Sequence, residues 1–378
     1  MKKLTYGMVG GGPGSFIGDA HRKSINIDAM ATLTAGCFSR TLEKCQQTGA
    51  ELGIAPDRCY ASFDEMAKAE AAREDGIDFA VVVTPNVSHY AACKAFLEAG
   101  IHVSCDKPLC LTVEQAEDLV RLADEKGLLF LVTYTYMGHV TAKHIKRFIA
   151  EGKLGKIRTV MAEYPQGWLA YEGEWGGKQG EWRCDPAQSG GVNCLGDLGT
   201  HVENAVATMT GLKIKKVLAK MDVVVPGRVL DDNDVVLVEY EGGATGCYWT
   251  SQFAIGHKND LRVRIYGEKG SIRWEQENCE QVIMVEYDGT EVIRYRGTAG
   301  IEPGAAAYGR LPSGHTEGWL ESMGNLYKSF IGCVAAKKDG SFTPDMIDFP
   351  TVHDGAEGVK FVHACLKSNA EGNVWVDL

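Results

Sequence analysis

The sequence predicts an α/β protein: a doubly wound parallel sheet over residues 1–134, then an α+β domain with a mostly antiparallel sheet over 135–378. Three observations carry this prediction. Up to about residue 134, short apolar runs alternate with helical patterns, as expected of strands buried on both faces. Beyond it, strand-like runs succeed one another across short turns, which makes the sheet antiparallel or mixed. Between the first strand and the first helix lie Gly10, Gly11, Gly12, Gly14 and Gly18, and such a turn suits a nucleotide-binding sheet.

Taken in order, strands are expected at 4–10, 32–38, 78–84, 101–105 and 128–133. Helices fall between them, starting near residue 17 and then over 41–52, 62–72, 87–99 and 113–126. Ser62 stands as an N-cap, Thr112 and Gln115 have capping-box spacing, and Gly100 and Gly127 close their helices. In the second part a helix over 140–151 leads to a strand at 156–165 and a loop rich in Trp and Gly to about 190. A helix near 192–210 follows, then strands near 214–225, 233–241, 244–253, 260–267, 270–275, 281–287 and 291–296. Gly242-Gly243 and Asp288-Gly289 supply turns, and helices over 317–336 and 350–368 end the chain.

Composition excludes several classes of function. The chain has 378 residues, 45% of them hydrophobic and 24% charged, the balance of a globular protein with room for an ample core. With 39 Lys and Arg against 50 Asp and Glu, the net charge of −11 argues against nucleic acid or an anionic membrane as a partner. No stretch approaches the roughly 18 apolar residues of a membrane span, and the N-terminus lacks the apolar core of a secretion signal. The 12 cysteines form no C-x-x-C pair and several sit in apolar runs. The expectation is free thiols in a reducing cytoplasm. The 10 histidines show no zinc-binding spacing, so no metal is expected.

Glycines at the first turn let backbone N–H groups approach a pyrophosphate at a helix N-terminus. The G-x-G-x-x-G form is absent, because Gly10-x-Gly12 is followed only by Gly18. The second strand ends in Cys37-Phe38-Ser39-Arg40, without the carboxylate that bonds the ribose of NAD. That tilts Ser39 and Arg40 toward NADP or dual use, although Arg40 equally suits stacking on adenine or facing solvent. Asp106-Lys107-Pro108 follows the strand 101–105 at the edge where open sheets bind ligands. There a lysine can hold a hydroxyl or alkoxide, or be a plain surface lysine. In Gly196-Asp197-Leu198-Gly199-Thr200-His201 the aspartate and histidine are four apart and share a helix face. His201 can act as a base near neutral pH, Asp197 can orient it or bond a hydroxyl, and Gly199 leaves room for a flat ring.

These motifs, with Thr84-Pro85-Asn86 and His89, Trp182-Arg183 with Asp185-Pro186, and Ser189-Gly190-Gly191, resemble the Gfo/Idh/MocA oxidoreductases over most of the chain. The tripeptide is usually Glu-Lys-Pro there, so Asp106 is a conservative departure. The resemblance implies a Rossmann domain, a C-terminal domain with a large open sheet, and a homo-oligomer, dimer or tetramer. It implies catalytic roles for Lys107, Asp197 and His201. It implies NAD or NADP contacts from Gly10, Gly12, Gly14, Ser15, Phe16, Ile17, Thr84, Pro85, Asn86, His89, Asp106 and Lys107. A narrower likeness rests on Gly10–Gly18 with His21-Arg22, on Glu163–Trp168, and on Gly314-His315-Thr316-Glu317-Gly318. It points to enzymes that oxidise the 3-hydroxyl of glucosides, with Gln166, Trp182, Arg183, Asn193 and His315 joining Asp197 and His201 around substrate. Trp175 and Trp182 equally suit packing. The reading is a NAD(P)-dependent dehydrogenase of a sugar, glycoside or cyclitol. The alternatives are an oxidation–elimination lyase with tightly bound NAD and a non-catalytic sugar sensor.

Overall fold

A computed structural model describes residues 3–171 and 177–378. The chain folds into two compact units, one of residues 1–135 with 320–356 and the other of residues 136–319 with 357–378. The units do not follow the chain as two consecutive blocks, because the segment 320–356 returns to the first.

The first unit alternates strand and helix: β1 (Leu4–Gly10), α1 (Phe16–Asn26), β2 (Ala31–Cys37), α2 (Leu42–Glu51), α3 (Phe63–Ala72), β3 (Phe79–Val83), α4 (His89–Glu98), β4 (His102–Cys105), α5 (Val113–Glu125) and β5 (Phe130–Val132). All pairings are parallel, in the order β2-β1-β3-β4-β5. Every residue of β3 is buried, which is why these strands read as unbroken apolar runs. The expected caps form: Ser62 Oγ accepts from Glu65 N at 3.1 Å, and Thr112 Oγ1 accepts from Gln115 N at 3.2 Å.

In the second unit α6 (Val140–Ala150) and β6 (Ile157–Pro165) are followed by α7 (Gly177–Arg183) and α8 (Pro186–Ser189). The sequence predicts a loop over this stretch. The overlooked signal is Asp185, whose carboxylate caps α8 by accepting from Ala187 N at 3.0 Å, with Pro186 in the first turn. Trp175 lies outside the described residues. The expected single helix near 192–210 is a π-helical turn, Leu195–Gly199, running into α9 (Thr200–Thr210).

The strands β7 (Ile214–Asp222), β8 (Asn233–Tyr240), β9 (Thr245–Ser251), β10 (Arg262–Gly267), β11 (Gly270–Glu275), β12 (Gln281–Glu286) and β13 (Glu291–Tyr295) come next, then the short α10 (Pro303–Ala306). The helix α11 (Trp319–Asp339) leads back into the first unit; α12 (Val352–Ala370) starts there and passes at Glu357 into the second, which β14 (Val376–Asp377) completes. The nine strands form one open sheet in the order β13-β12-β11-β10-β6-β9-β8-β7-β14. Only β6 and β9 pair in parallel; the other pairings are antiparallel. Its inner face, with α9 and α12, encloses a core that includes Val160, Val238, Ile265, Trp274 and Phe361.

In the first unit α11 lies against the sheet. Phe79 of β3 stacks on Tyr6 of β1 and meets Phe330 edge-on at 5.4 Å, and Phe330 in turn packs on Phe349. Beyond α11, Pro350 O accepts from Val132 N at 2.9 Å and so covers the β5 edge. All 12 cysteines are free thiols. No helix among the described residues is long and apolar enough to cross a membrane.

Candidate active site

The parallel sheet gathers the expected cofactor residues at its carboxyl edge. β1 ends at Gly10, β2 runs into Ser39 and Arg40, β3 into Thr84-Pro85-Asn86, and β4 into Asp106 and Lys107. Since β1 lies between β2 and β3, the glycine turn stands at the topological switch point of the sheet, where ligands of open α/β sheets bind.

Local geometry explains the glycines. Gly10, Gly11 and Gly14 have positive φ. Gly18 stands apart from them: a Cβ there would lie 2.3 Å from Gly11 Cα, so helix and turn meet backbone to backbone. Gly18 therefore takes the helix-packing role of the third fingerprint glycine despite the longer spacing. A Cβ on Gly12 would strike Phe38 O at 2.7 Å, whereas nothing lies within 4 Å of one on Gly14. Ser15 caps α1 by accepting from Gly18 N at 3.2 Å, and Arg22 donates to Gly11 O at 2.8 Å from behind. Phe16 is exposed, and Ile17 partly so, at the head of α1.

Arg40 is exposed, and Ser39 Oγ accepts from Thr41 N at 3.4 Å. Asn86 is buried, and the buried Thr84 Oγ1 has no hydrogen-bond partner. His89 has both ring nitrogens on backbone oxygens, Pro108 O and Thr84 O, each at 2.8 Å. It ties the turn after β3 to the loop after β4, leaving only ring carbons to meet a ligand.

Asp106 and Lys107 precede a cis Lys107–Pro108 peptide. The Asp106 carboxylate accepts from Thr133 Oγ1 at 2.6 Å and meets His21 Nε2 at 3.1 Å. The other nitrogen of the fully buried His21 meets Tyr327 Oη of α11 at 2.5 Å, and Tyr327 also bonds Ser104. Burial pushes the Asp106 carboxyl up, but His21 and the Thr133 hydrogen bond outweigh it and hold the group below the usual carboxylate range. Lys107, half-buried, therefore stands on a braced turn.

Of the expected substrate residues, Arg183 and Asn193 are linked to Asp197 of the π-helical turn. Asp197 Oδ2 accepts from Arg183 Nε at 3.0 Å and from Gln252 Nε2 at 3.3 Å. Gln252 Oε1 accepts from Asn193 Nδ2 at 2.6 Å. The Arg183 guanidinium lies 4.3 Å from the Trp182 ring centroid and 5.8 Å from that of Trp168.

His201, buried, rests on the ring of Tyr136 at 4.8 Å and near Tyr164 at 5.9 Å. The two tyrosine hydroxyls meet at 2.5 Å, and Asn259 joins both. Gln166 Nε2 donates to Asn259 at 2.9 Å, and Gln166 Oε1 accepts from Trp168 Nε1 at 2.6 Å. Burial raises both phenols, Tyr164 the more strongly, so they are neutral groups at ordinary pH.

Gly199 corrects the sequence reading. The space where its side chain would stand is filled by Leu195, at 2.7 Å, and Phe361, at 3.6 Å. The glycine serves core packing of the turn and leaves no slot for a ring. His315 is exposed on a loop pinned from beneath: buried Arg296 donates to Leu311 O at 2.7 Å and to His315 O, and pairs with Glu280 and Glu317.

The sequence reading missed Tyr136, Tyr164, Gln252 and Asn259. Only Tyr164 and Gln252 carried a signal, each standing just where a strand ends.

A dinucleotide fits the first unit. The turn admits no Cβ at Gly12, stays open at Gly14, leads into a capped helix N-terminus and lies beside the unpartnered Thr84 hydroxyl. Residues 4–134 match the oxidoreductase family with NAD-binding Rossmann fold, and residues 142–273 the GFO/IDH/MocA C-terminal domain. The chain is 36% identical to an uncharacterized oxidoreductase, YfiI, of Bacillus subtilis (strain 168), over 100% of this chain and 97% of the relative. It is 24% identical to levoglucosan dehydrogenase of Pseudarthrobacter phenanthrenivorans, over 100% and 99% of the two chains. An inositol dehydrogenase homolog from Azotobacter vinelandii, solved with NADH and myo-inositol, is 35% identical with a TM-score of 0.92, over 100% of this chain and 98% of that one. The glycine turn, the braced lysine and the aspartate–histidine turn thus stand in a fold shared from end to end, and the chain belongs to the Gfo/Idh/MocA family as a NAD-binding oxidoreductase.

Proposed function

We propose that this oxidoreductase transfers a hydride between the nicotinamide and a secondary hydroxyl of a sugar, glycoside or cyclitol, with C3 of a glycoside favoured. One observation carries the reading. Around Asp197 and His201 the second unit lines up Arg183, Gln252, Asn193 and Gln166 with the rings of Trp168 and Trp182, the mixture of amide, charge and aromatic face that suits a polyol. The neighbour solved with myo-inositol supports a cyclitol or sugar.

Bound NAD supplies the carbon that accepts the hydride. The protein supplies the remainder. Lys107 holds the substrate oxygen and stabilises its developing negative charge. His201, fixed by the Tyr136 ring, takes the hydroxyl proton at a ring nitrogen. Asp197, oriented by Arg183 and Gln252, holds a neighbouring hydroxyl, and His315 is a candidate to touch the sugar. Ser39 and Arg40, with no carboxylate between them, leave the 2′-phosphate of NADP admissible alongside NAD.

A homo-oligomer is part of the proposal. On the outer face of the open sheet, Val235 lies opposite Trp249, Leu237 opposite Cys247, and Cys247 opposite Met161. Val235, Leu237, Met161, Tyr266 and Ile293 are exposed there, a patch that suits a second copy. The free thiols support a small-molecule enzyme of the reducing cytoplasm, and the net charge of −11 supports neither nucleic acid nor membrane as partner.

Lys107→Met and His201→Ala are each expected to abolish turnover across a polyol panel while leaving NADH binding largely intact. Full turnover in either variant overturns the assignment. Native mass spectrometry of the purified protein reads the subunit count and the co-purified dinucleotide together.

A further inference from the structure

Beneath the π-helical turn lies a buried group that the proposed chemistry does not use. Asp231 precedes β8 and is 5% exposed; Asp234, in β8, is fully buried. Asp231 spends both carboxylate oxygens on the start of the turn: Oδ1 accepts from Asn193 N at 2.7 Å and Oδ2 from Leu195 N at 2.6 Å. Its backbone oxygen accepts from Cys194 N at 3.1 Å, so one residue holds three consecutive peptide N–H groups. Two accepted N–H bonds favour the ionised form of Asp231.

A carboxylate oxygen of Asp234, one of Asp231 and the Cys194 sulfur all lie within 4.8 Å of one another. Asp234 Oδ2 accepts from Thr250 Oγ1 at 2.8 Å, while Oδ1 meets no donor. Two ionised carboxylates this close in a dry core are untenable. A neutral Asp234 is stable there, because its acid proton turns the unpartnered oxygen into a donor.

We propose that Asp231 and Asp234 form one acid–carboxylate pair, sharing a single buried proton, whose role is to position the turn that carries Asp197 and His201. This rests on the reading of those two residues as the reacting groups. The pair acts at one remove: Asn193, whose N–H it holds, donates through its side chain to Gln252, and Gln252 donates to Asp197.

Burial pushes both carboxyls up, Asp234 the more strongly and with the Asp231 charge adding to it. The other titratable groups facing the pair are Cys194 and Cys365 of α12, thiols that burial keeps neutral. The adjacent Asp232 is turned away, its carboxylate accepting from Val224 N and Val225 N. The shared proton is therefore the group that sets the charge of this core.

The test pairs infrared spectroscopy with kinetics on the full-length protein. At pH 7 the wild type is expected to show the C=O absorption of a buried neutral carboxylic acid, and Asp234→Asn to lose it. Asp234→Asn keeps a neutral donor and is expected to hold kcat within about twofold. Asp234→Val, of similar size but without a donor, is expected to lower kcat about 10²-fold, the cost of a misplacement near 1 Å. Its KM and NADH affinity are expected to stay close to wild type. Absence of the infrared band overturns the proposal, as does full kcat in Asp234→Val, or a stoichiometric metal ion on the purified protein in place of the proton. The band is read without turnover, so failure of the dehydrogenase reading, seen as an active His201→Ala, is a separate result.

Discussion

Gly18 shows how one absent side chain sets a binding site. Its Cα rests against Gly11 with no room for a methyl group: an added Cβ would stand 2.3 Å from one backbone atom and 3.0 Å from another. Backbone cannot step aside as a flexible side chain can. Gly18→Ala is therefore expected to spread the turn from α1, with an overpacking cost of about 1–3 kcal/mol. It should weaken NADH binding at least about tenfold in a fluorescence titration, by displacing the N–H groups over the pyrophosphate. Unchanged affinity in a folded Gly18→Ala protein would show that the turn does not hold the dinucleotide. Gly199 teaches the opposite lesson, because a glycine between the proposed reacting groups makes room for Leu195 and Phe361.

At the scale of elements, α11 fastens the lysine turn. Tyr327 sends its hydroxyl to His21 and Ser104, and His21 passes the contact on to Asp106. Tyr327→Phe leaves both partners buried and unsatisfied, at a cost of about 1–3 kcal/mol. A lower Tm together with a lower kcat is expected. An unchanged kcat at lowered Tm would confine the network to stability.

The parallel strands were legible because burial on both faces leaves an apolar run, and the caps at Ser62 and Thr112 because their signal is local. The π-helical turn was not, since spacing in the sequence says nothing of a ladder that widens by one residue. Nor were Tyr136, Tyr164 and Asn259, which meet across 28, 95 and 123 residues of chain. Lys107, Asp197 and His201 were singled out in the sequence by Pro108, Gly196 and Gly199 close beside them, and their roles belong to the proposal.

Over the whole molecule, the buried His139 and His144 and the half-buried His102 make folding depend on pH. Burial holds His102 and His144 down to about 4 and His139 to about 3. Two of them accept backbone N–H bonds at Nδ1, from Leu129 and Glu302, which a protonated ring cannot do. In the unfolded chain a histidine titrates near 6.5. Between pH 6.5 and about 4 the unfolded chain thus binds protons that the folded chain refuses, and stability falls as pH drops through that window. The contribution is complete above pH 6.5. Thermal melts should show Tm declining from pH 7 to pH 5, and His144→Asn, which keeps an acceptor near Nδ1, should flatten the slope. A Tm constant over that range would contradict the burial of these rings.

The return of residues 320–356 to the first unit also orders events during synthesis. When residue 134 leaves the ribosome, all five parallel strands exist, yet Phe79 still awaits Phe330, His21 awaits Tyr327, and the β5 edge awaits Pro350. The nascent sheet must stay open for some 200 further residues, at roughly 5–20 residues per second. A fragment ending near residue 134 therefore exposes an aromatic face and a strand edge, and a portable NAD-binding module cut from this chain has to carry its distant helix with it.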